Sequence, residues 1–362
     1  MKNLAPILPI ENWENYKQRP LVIAGPCSAE TEKQVLQTAI EIAESKKVDI
    51  FRAGLWKPRT RPGTFEGVGS VGLPWLKRVK EETGLPVATE VANAKHAYEA
   101  LKYGIDYIWI GARTAVNPFA VQEIADSLEG SNVGVMIKNP INPDLDLWMG
   151  GIERIRKAGI SKIAAIHRGF SNYEKTQYRN IPHWQLAVEL KQLMPDLPVI
   201  CDPSHITGDS SLLYEVSQKA MDLNYEGLMI ETHIDPEHAL SDAAQQVTPN
   251  ELKEILSRLI MRSPVSSDKG FLDVLGELRS QIDLFDDQLL NILEQRMNVA
   301  KTIAKYKKEN NITILQTKRW TEIIKKSIAK GEQKGLSSEF IDTLFKAIHQ
   351  ESINHQTKIM NE

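Results

Sequence analysis

The chain has 362 residues, of which 42% are apolar and 25% charged, with a formal net charge of −3. That balance fits a globular protein and supplies no general basic field for nucleic acid, and no apolar run approaches the ~18–20 residues of a membrane span. Cys27 and Cys201 are too few for a disulfide framework, and the first residues lack the charged-then-apolar order of a signal peptide, so the cytoplasm is the expected compartment.

Eight short apolar runs punctuate the first 235 residues, at 21–24, 48–51, 87–88, 107–110, 133–137, 163–166, 199–200 and 228–230. Between them lie segments of helical period, at 34–45, 94–103, 120–128, 150–158, 183–193 and 211–221. Continuous apolar runs alternating with helices predict parallel strands covered on both faces. Thr248-Pro249-Asn250-Glu251 is a capping box with Pro at the first helical position, opening a helix to about residue 261. The pattern predicts a (β/α)8 TIM barrel over residues 1–262, including a short N-terminal extension.

Residues 263–270 read as a polar linker containing Pro264. A long amphipathic helix follows over 271–308, with Leu275, Leu278, Ile282, Phe285, Leu289, Ile292, Val299 and Ile303 at alternating three- and four-residue steps. Two shorter helices are expected at 317–330 and 338–358, giving an all-α domain over 271–362. Its core is too small for comfort, so pairing with a second copy is expected.

Each barrel strand ends at a residue capable of chemistry: Cys27, Arg52, Glu90, Arg113, Lys138, His167 with Arg168, Asp202 with His205, and Glu231 with His233. A parallel barrel gathers all its strand C-termini on one face, where active sites of this fold are built. Cys27, His205, Glu231 and Asp242 form a mixed thiolate, imidazole and carboxylate set suited to a divalent transition metal. Arg52, Lys57, Arg59, Arg113, Lys138 and Arg168 form a second set. Six cations at one mouth repel unless anions join them, which points to substrates carrying phosphate or carboxylate.

The stretches Gly25-Pro26-Cys27-Ser28, Lys57-Pro58-Arg59-Thr60, Gly111-Ala112-Arg113, Lys138-Asn139, His167-Arg168-Gly169, Asp202-Pro203-Ser204-His205 and Glu231-Thr232-His233 resemble the 3-deoxy-D-arabino-heptulosonate 7-phosphate (DAHP) synthase family. The match is closest to its smaller-barrel (type I beta-like) subfamily. The resemblance implies condensation of phosphoenolpyruvate with erythrose 4-phosphate, the first step of the shikimate pathway. It implies one divalent metal on Cys27, His205, Glu231 and Asp242, Mn before Fe, Co, Zn or Cd. It implies Arg52, Lys57, Arg113, Lys138 and Arg168 around phosphoenolpyruvate, with Lys57 catalytic, and Arg59 and Thr60 on the aldose phosphate. Glu90 and His167 are further candidates as proton carriers. The related octulosonate 8-phosphate synthases, which use arabinose 5-phosphate, are the alternative. They carry a Lys-Ala-Asn-Arg type motif where this chain has Lys-Pro-Arg-Thr, which favours the four-carbon aldose.

In the tail, Arg296 falls on the apolar stripe of the long helix, where an unpaired charge would cost several kcal/mol. Arg279, Arg296, Lys307, Gln316, Arg319, Ser352 and Gln356 resemble, in order and spacing, the chorismate-binding residues of the all-helical (AroQ-type) chorismate mutase family. The resemblance implies rearrangement of chorismate to prephenate, Lys307 and Gln356 acting on the breaking ether. It also implies a homodimer or larger assembly in which Arg279 reaches the partner's site. Trp320 stands where some members carry a Glu that contacts substrate. A non-catalytic, ligand-sensing dimerisation module is the other reading of the tail. Feedback inhibition of the barrel by prephenate bound there is a further expectation, because only some sixteen residues precede the first strand. Nucleic acid and membrane are not expected partners.

Overall fold

The computed structural model describes residues 4–14, 16–59, 63–173 and 176–361. Eight strands, β1 Leu21–Gly25, β2 Ile50–Arg52, β3 Val87–Val91, β4 Tyr107–Ile110, β5 Gly134–Lys138, β6 Ile163–His167, β7 Val199–Cys201 and β8 Gly227–Glu231, pair in parallel and in sequence order. β1 closes the barrel against β8, with Leu21 beside Gly227 and Gly25 beside Glu231.

The helices that cover the strands are α1 Glu32–Glu44, α2 Leu73–Thr83, α3 Ala94–Lys102, α4 Ala112–Ala115, α5 Pro118–Leu128, α6 Leu145–Lys157, α7 Trp184–Leu193, α8 Pro203–Thr207, α9 Leu213–Asp222 and α10 Pro249–Arg258. Side-chain caps start several of them: Thr31 on α1, Asn93 on α3, Asn117 on α5, Asp144 on α6 and Asp202 on α8. The capping box on α10 forms as its sequence predicts, with Thr248 and Glu251 satisfying each other's backbone N–H.

Two differences from the sequence reading have local causes. α2 buries Leu73, Leu76 and Val79 between charged residues, a stripe too narrow to register as helical period. β3 runs on through Thr89 and Glu90 because their polar groups are satisfied in place. Thr89 Oγ1 donates to Ala53 O at 2.9 Å, and Glu90 accepts from Trp109 Nε1 at 3.0 Å.

The core has two layers. Leu21, Ile23, Ile50, Ala88, Tyr107, Trp109, Met136, Ala164, Ile166, Ile200 and Met229 fill the barrel interior. Ile10 and Trp13 close its N-terminal end, Trp13 stacking on Tyr107 with ring centroids 5.5 Å apart. The outer layer lies between strands and helices and includes Val22, Phe51, Ile108, Ile137 and Leu228. Each large aliphatic side chain so buried contributes roughly 1.5–3 kcal/mol, and together they hold the opposite rim rigid.

The chain divides into two compact units, one ending at Pro264 and one beginning at Val265. The second contains α11 Lys269–Glu309, α12 Thr317–Glu332 and α13 Ser338–Asn361. α11 would run roughly 60 Å at 1.5 Å per residue. α13 packs along both α11 and α12. On α11 the buried residues are Met297, Ala300 and Ala304. The apolar stripe singled out in the sequence is not the buried face. Leu278, Ile282, Phe285, Leu289, Ile292, Val299 and Ile303 all stay exposed within the single chain. Arg296 is therefore not sealed in an apolar seam but sits half-buried at the border of the packed face.

Candidate active site

Strand side chains alternate between the barrel interior and the helix-facing side. Ile50, Ala88, Met136, Ile166, Ile200 and Met229 point inward. The residues two positions on therefore aim at the mouth: Arg52, Glu90, Lys138, Arg168, Asp202 and Glu231. His167 and Cys201 have the opposite parity. His167 packs among Trp148, Phe170, Trp184 and Tyr225. Its Nε2–H donates to Pro182 O at 2.5 Å and Nδ1 accepts from Tyr225 OH at 2.9 Å. Burial pushes it down to about 4, so it stays neutral behind the sheet. Its expected part as a proton carrier at the mouth is set aside on that geometry.

The mouth encloses a cavity of about 440 Å³, within the range of small-molecule sites. Arg52, Lys57, Arg59, Arg113, Lys138 and Arg168 all line it, with Glu90, His205, Glu231 and Asp242. Thr60 lies outside the described residues. Gly25 shapes the rim: a Cβ there would stand 2.1 Å from Arg52 O, so only glycine lets β1 turn past β2 and present Cys27.

Arg52 is 2% exposed. Its Nη2 donates to Cys27 O at 3.2 Å and lies 3.2 Å from Glu231 Oε1, while the guanidinium stands 4.6 Å from the Trp109 ring centre. Its Nε and Nη1 are buried with no hydrogen-bond partner. Lys138 Nζ donates to Asp202 at 2.8 Å. Arg168 Nη1 donates to Asn180 Oδ1 at 2.8 Å, and burial draws its guanidinium down to about 10. Lys57 Nζ donates to Cys27 Sγ and lies 3.7 Å from Asp242. Arg59 lies 3.8 Å from the same carboxylate. Arg113 lines the cavity from α4.

The four proposed donors meet in two pairs. Cys27 Sγ donates to Asp242 Oδ2 at 3.4 Å, and His205 Nε2 stands 3.7 Å from Glu231 Oε1. Among the described residues no three His, Cys, Asp or Glu side chains close into one coordination sphere, the Lys57 ammonium standing against the sulfur. Glu231 Oε1 is nonetheless buried with no hydrogen-bond partner. His205 is held by Asp202 through Nδ1 at 3.0 Å, which leaves Nε2 toward Glu231. Burial, aided by Glu231, pushes the Cys27 thiol up to about 12. Burial would also raise Glu231 and Asp242, but the surrounding cations prevail. His205, Arg52 and Lys57 hold Glu231 low; Lys57, Arg179 and His205 hold Asp242 far below the usual carboxylate range.

Residues that sequence reasoning missed complete the site. Arg179 Nη1 donates to Asp242 Oδ1 at 3.1 Å and to Gln245 Oε1 at 2.7 Å. Gln245 Nε2 donates to Glu231 Oε2 at 2.7 Å, and Gln246 Oε1 accepts from Cys27 N at 2.9 Å. None ends a strand, so the rule that found the others passes over them.

In the helical unit Arg296 Nη1 donates to Ser352 Oγ, joining α11 to α13. Lys307 Nζ donates to Ile314 O at 2.5 Å. Gln356 Oε1 is buried without a partner. Gln316 occupies the N-cap position of α12 with no side-chain capping bond and is exposed, as is Arg319, which pairs with Glu322 at 3.6 Å. Trp320 stacks on His349 with centroids 3.8 Å apart. Arg279 is exposed on α11, about 25 Å along the helix from Arg296 at 1.5 Å per residue, and does not join it within one chain.

A closed parallel barrel with an anion-binding rim, followed by a three-helix unit with its own cations, defines a two-domain enzyme for anionic substrates. The chain belongs to the DAHP synthetase I family, whose model matches residues 13–263, and its C-terminal domain matches chorismate mutase type II over residues 278–357. Phospho-2-dehydro-3-deoxyheptonate aldolase of Thermotoga maritima is 32% identical over 238 residues, covering 66% of this chain and 68% of that protein. The 2-dehydro-3-deoxyphosphooctonate aldolase of Wolinella succinogenes is 27% identical over 274 residues, covering 68% of this chain and all of its own length. The crystal structure of the Thermotoga maritima DAHP synthase superposes with a TM-score of 0.61 at 28% identity, covering 70% of this chain and 72% of that one. The chain is thus an enzyme with a DAHP synthase domain and a chorismate mutase domain, placed in the shikimate pathway.

Proposed function

We propose that the barrel condenses phosphoenolpyruvate with erythrose 4-phosphate at a divalent metal ion, the enol carbon joining the aldehyde carbon while water adds at C2 and inorganic phosphate leaves, and that the helical unit converts chorismate to prephenate. The observation that carries the barrel reading is the convergence of six cations on one cavity, with Arg52 Nε and Nη1 buried and unpaired. Such donors are stable only where an anion completes them. Arg52, Lys138 and Arg168 are sunk in the mouth and need little reorganisation to hold the carboxylate and phosphate of phosphoenolpyruvate. Lys57 and Arg113 complete that cradle, and Arg59 with Thr60 takes the aldose phosphate.

The donor set suits a cation: the orphaned Glu231 Oε1, the Nε2 of His205, the Cys27 sulfur and the Asp242 carboxylate. These four would hold the ion, Mn before Fe, Co, Zn or Cd, once the Lys57 ammonium leaves the sulfur. When bound it would polarise the aldose carbonyl as a Lewis acid. The chain's own cations offset the repulsion between two anionic substrates and align them. Lys57, an ammonium within the donor cluster, carries the proton to the new alkoxide. The test is an assay with phosphoenolpyruvate and either erythrose 4-phosphate or arabinose 5-phosphate, with and without chelator. Turnover of the five-carbon sugar alone would assign the octulosonate reaction instead.

For the helical unit, Arg296 and Ser352, Lys307 and the unpaired Gln356 Oε1 support the mutase reading. Arg279 and Arg296 take the two carboxylates of chorismate. Gln316, Arg319 and Ser352 hold the rest, while Lys307 and Gln356 bond the ether oxygen as it breaks. This rearrangement needs charge stabilisation and confinement but no acid, base or nucleophile. The exposed apolar stripe of α11 is the dimer face, which brings a partner's Arg279 to each site. Chorismate consumption, followed in parallel, separates a working mutase from a sensor that binds prephenate without turnover.

Prephenate in the helical unit acts as the feedback inhibitor of the barrel. An unchanged synthase rate at saturating prephenate would exclude this, and linkage requires barrel ligands to alter prephenate affinity in return.

A further inference from the structure

The loop between β6 and α7 carries Arg179 and Asn180, which no strand-end rule selects. Asn180 is buried, and its side chain faces both ways. Its Oδ1 accepts from Arg168 Nη1 at 2.8 Å, and its Nδ2 donates to His205 O at 2.6 Å. One amide thus ties a cradle arginine to the backbone of a proposed metal ligand. Arg179 makes the second tie. It grips Asp242 directly and reaches Glu231 through Gln245, by bonds of 3.1, 2.7 and 2.7 Å.

The backbone shows that this meeting is built rather than incidental. Arg179 N donates to Thr207 O and Asn180 N to Ile206 O, both at 3.1 Å, seating the loop against α8 beside His205. Both approaches require glycine opposite. A Cβ on Gly208 would lie 2.6 Å from the Arg179 Cβ, and one on Gly169 would lie 2.7 Å from Asn180 O; both glycines have positive φ. Asp242 itself is a non-glycine residue in left-handed backbone, φ 48° and ψ 40°, a conformation that persists where its surroundings hold it. The Arg179 side chain is 47% exposed, so its ion pair adds little to stability. Its consequence is where it aims the carboxylate.

We propose that Arg179 and Asn180 are positioning residues that hold three of the four metal-ligating residues, Glu231 and Asp242 by their carboxylates and His205 by its backbone, and lock them to the phosphoenolpyruvate cradle through Arg168. The inference rests on the reading of Cys27, His205, Glu231 and Asp242 as a cation site. Residues that orient metal ligands typically change metal affinity by roughly 10–100-fold when removed.

The test is titration of the full-length, metal-stripped protein with Mn²⁺ by calorimetry, without substrates. Arg179→Ala is expected to bind Mn²⁺ roughly 10–100-fold more weakly. Arg179→Lys keeps the charge but not the fork and is expected to lose about tenfold; it also serves should the alanine variant fail to fold. Asn180→Asp keeps an acceptor for Arg168 but loses the donor to His205. It is expected to weaken Mn²⁺ while leaving the phosphoenolpyruvate KM near wild type, whereas Asn180→Ala weakens both. Unchanged Mn²⁺ affinity in both Arg179 variants, with a raised aldose phosphate KM, overturns the proposal and makes Arg179 a substrate ligand. A wild-type protein that binds no Mn²⁺ overturns the reading of the cation site as well.

Discussion

The two units of this chain treat charge in opposite ways. In the barrel the functional cations are sunk among counter-charges: Arg52 against Glu231, Lys138 against Asp202 and Lys57 against Asp242. A rigid sheet below aims them, and one chain supplies every member. In the helical unit Arg279 and Arg319 lie exposed, and seven large apolar residues of the α11 stripe are uncovered. A strand barrel closes on itself and buries its own site, whereas an open helix pair shows two faces and covers one. The proposed mutase site is thus incomplete in a single chain, while the proposed synthase site is not.

The sharpest break between the units is metal removal. Chelation is expected to abolish synthase turnover and leave mutase turnover unchanged, with Mn²⁺ restoring the former; equal loss of both would show that the units are not separable. Next comes Arg52→Ala, which removes two unpaired donors and strands Glu231 without its cation. Synthase kcat/KM should fall by about 10³-fold or more while chorismate turnover stays within twofold. The reciprocal variant, Arg296→Ala, should lower mutase kcat/KM by about 10²-fold and spare the synthase.

A double substitution, Ile282→Asp with Leu289→Asp, sharpens the point about self-sufficiency. It is expected to yield monomers by sedimentation and to lower mutase activity about tenfold at micromolar protein, with the synthase little changed. Retention of the dimer would remove α11 as its face.

A last effect concerns the stability of the barrel rather than either turnover. His167 is near 4 when folded against an ordinary value of 6.5, because burial disfavours its charge. The unfolded chain therefore takes up a proton that the folded barrel refuses. This contribution is fully present above pH 6.5 and is lost as pH falls toward 4, by about 3 kcal/mol. Calorimetry of wild type and His167→Gln from pH 7 to 4.5 should show a shallower fall in the barrel transition for the variant. Parallel slopes would place the titration elsewhere.

Much of the rim was legible because strand ends carry the chemistry and the strands are easy to see. Parity along β6 would also have separated His167 from Arg168, since Ile166 and Arg168 share the inward face. Glu90 had only a candidate part as a proton carrier in the sequence, because its partner, Trp109, sits on the next strand. Arg179, Asn180 and Gln245 carry no such mark. Their meaning depends on which loops meet above the barrel, and loop encounters have no period.

The sequence by itself determined the order of the eight strands, the capping box on α10, the strand ends that carry Arg52, Lys138 and Glu231, and the existence of a helical second unit. These follow from local geometry: alternation in strands, period in helices and capping chemistry. Tertiary structure alone brought Cys27 to Asp242 across 215 residues and bound Arg179 to the same carboxylate across 63. It also decided which face of α11 is covered. A repeat in the sequence states which side chains share a face; only packing decides what that face meets, because burial rewards apolar contact without regard to direction.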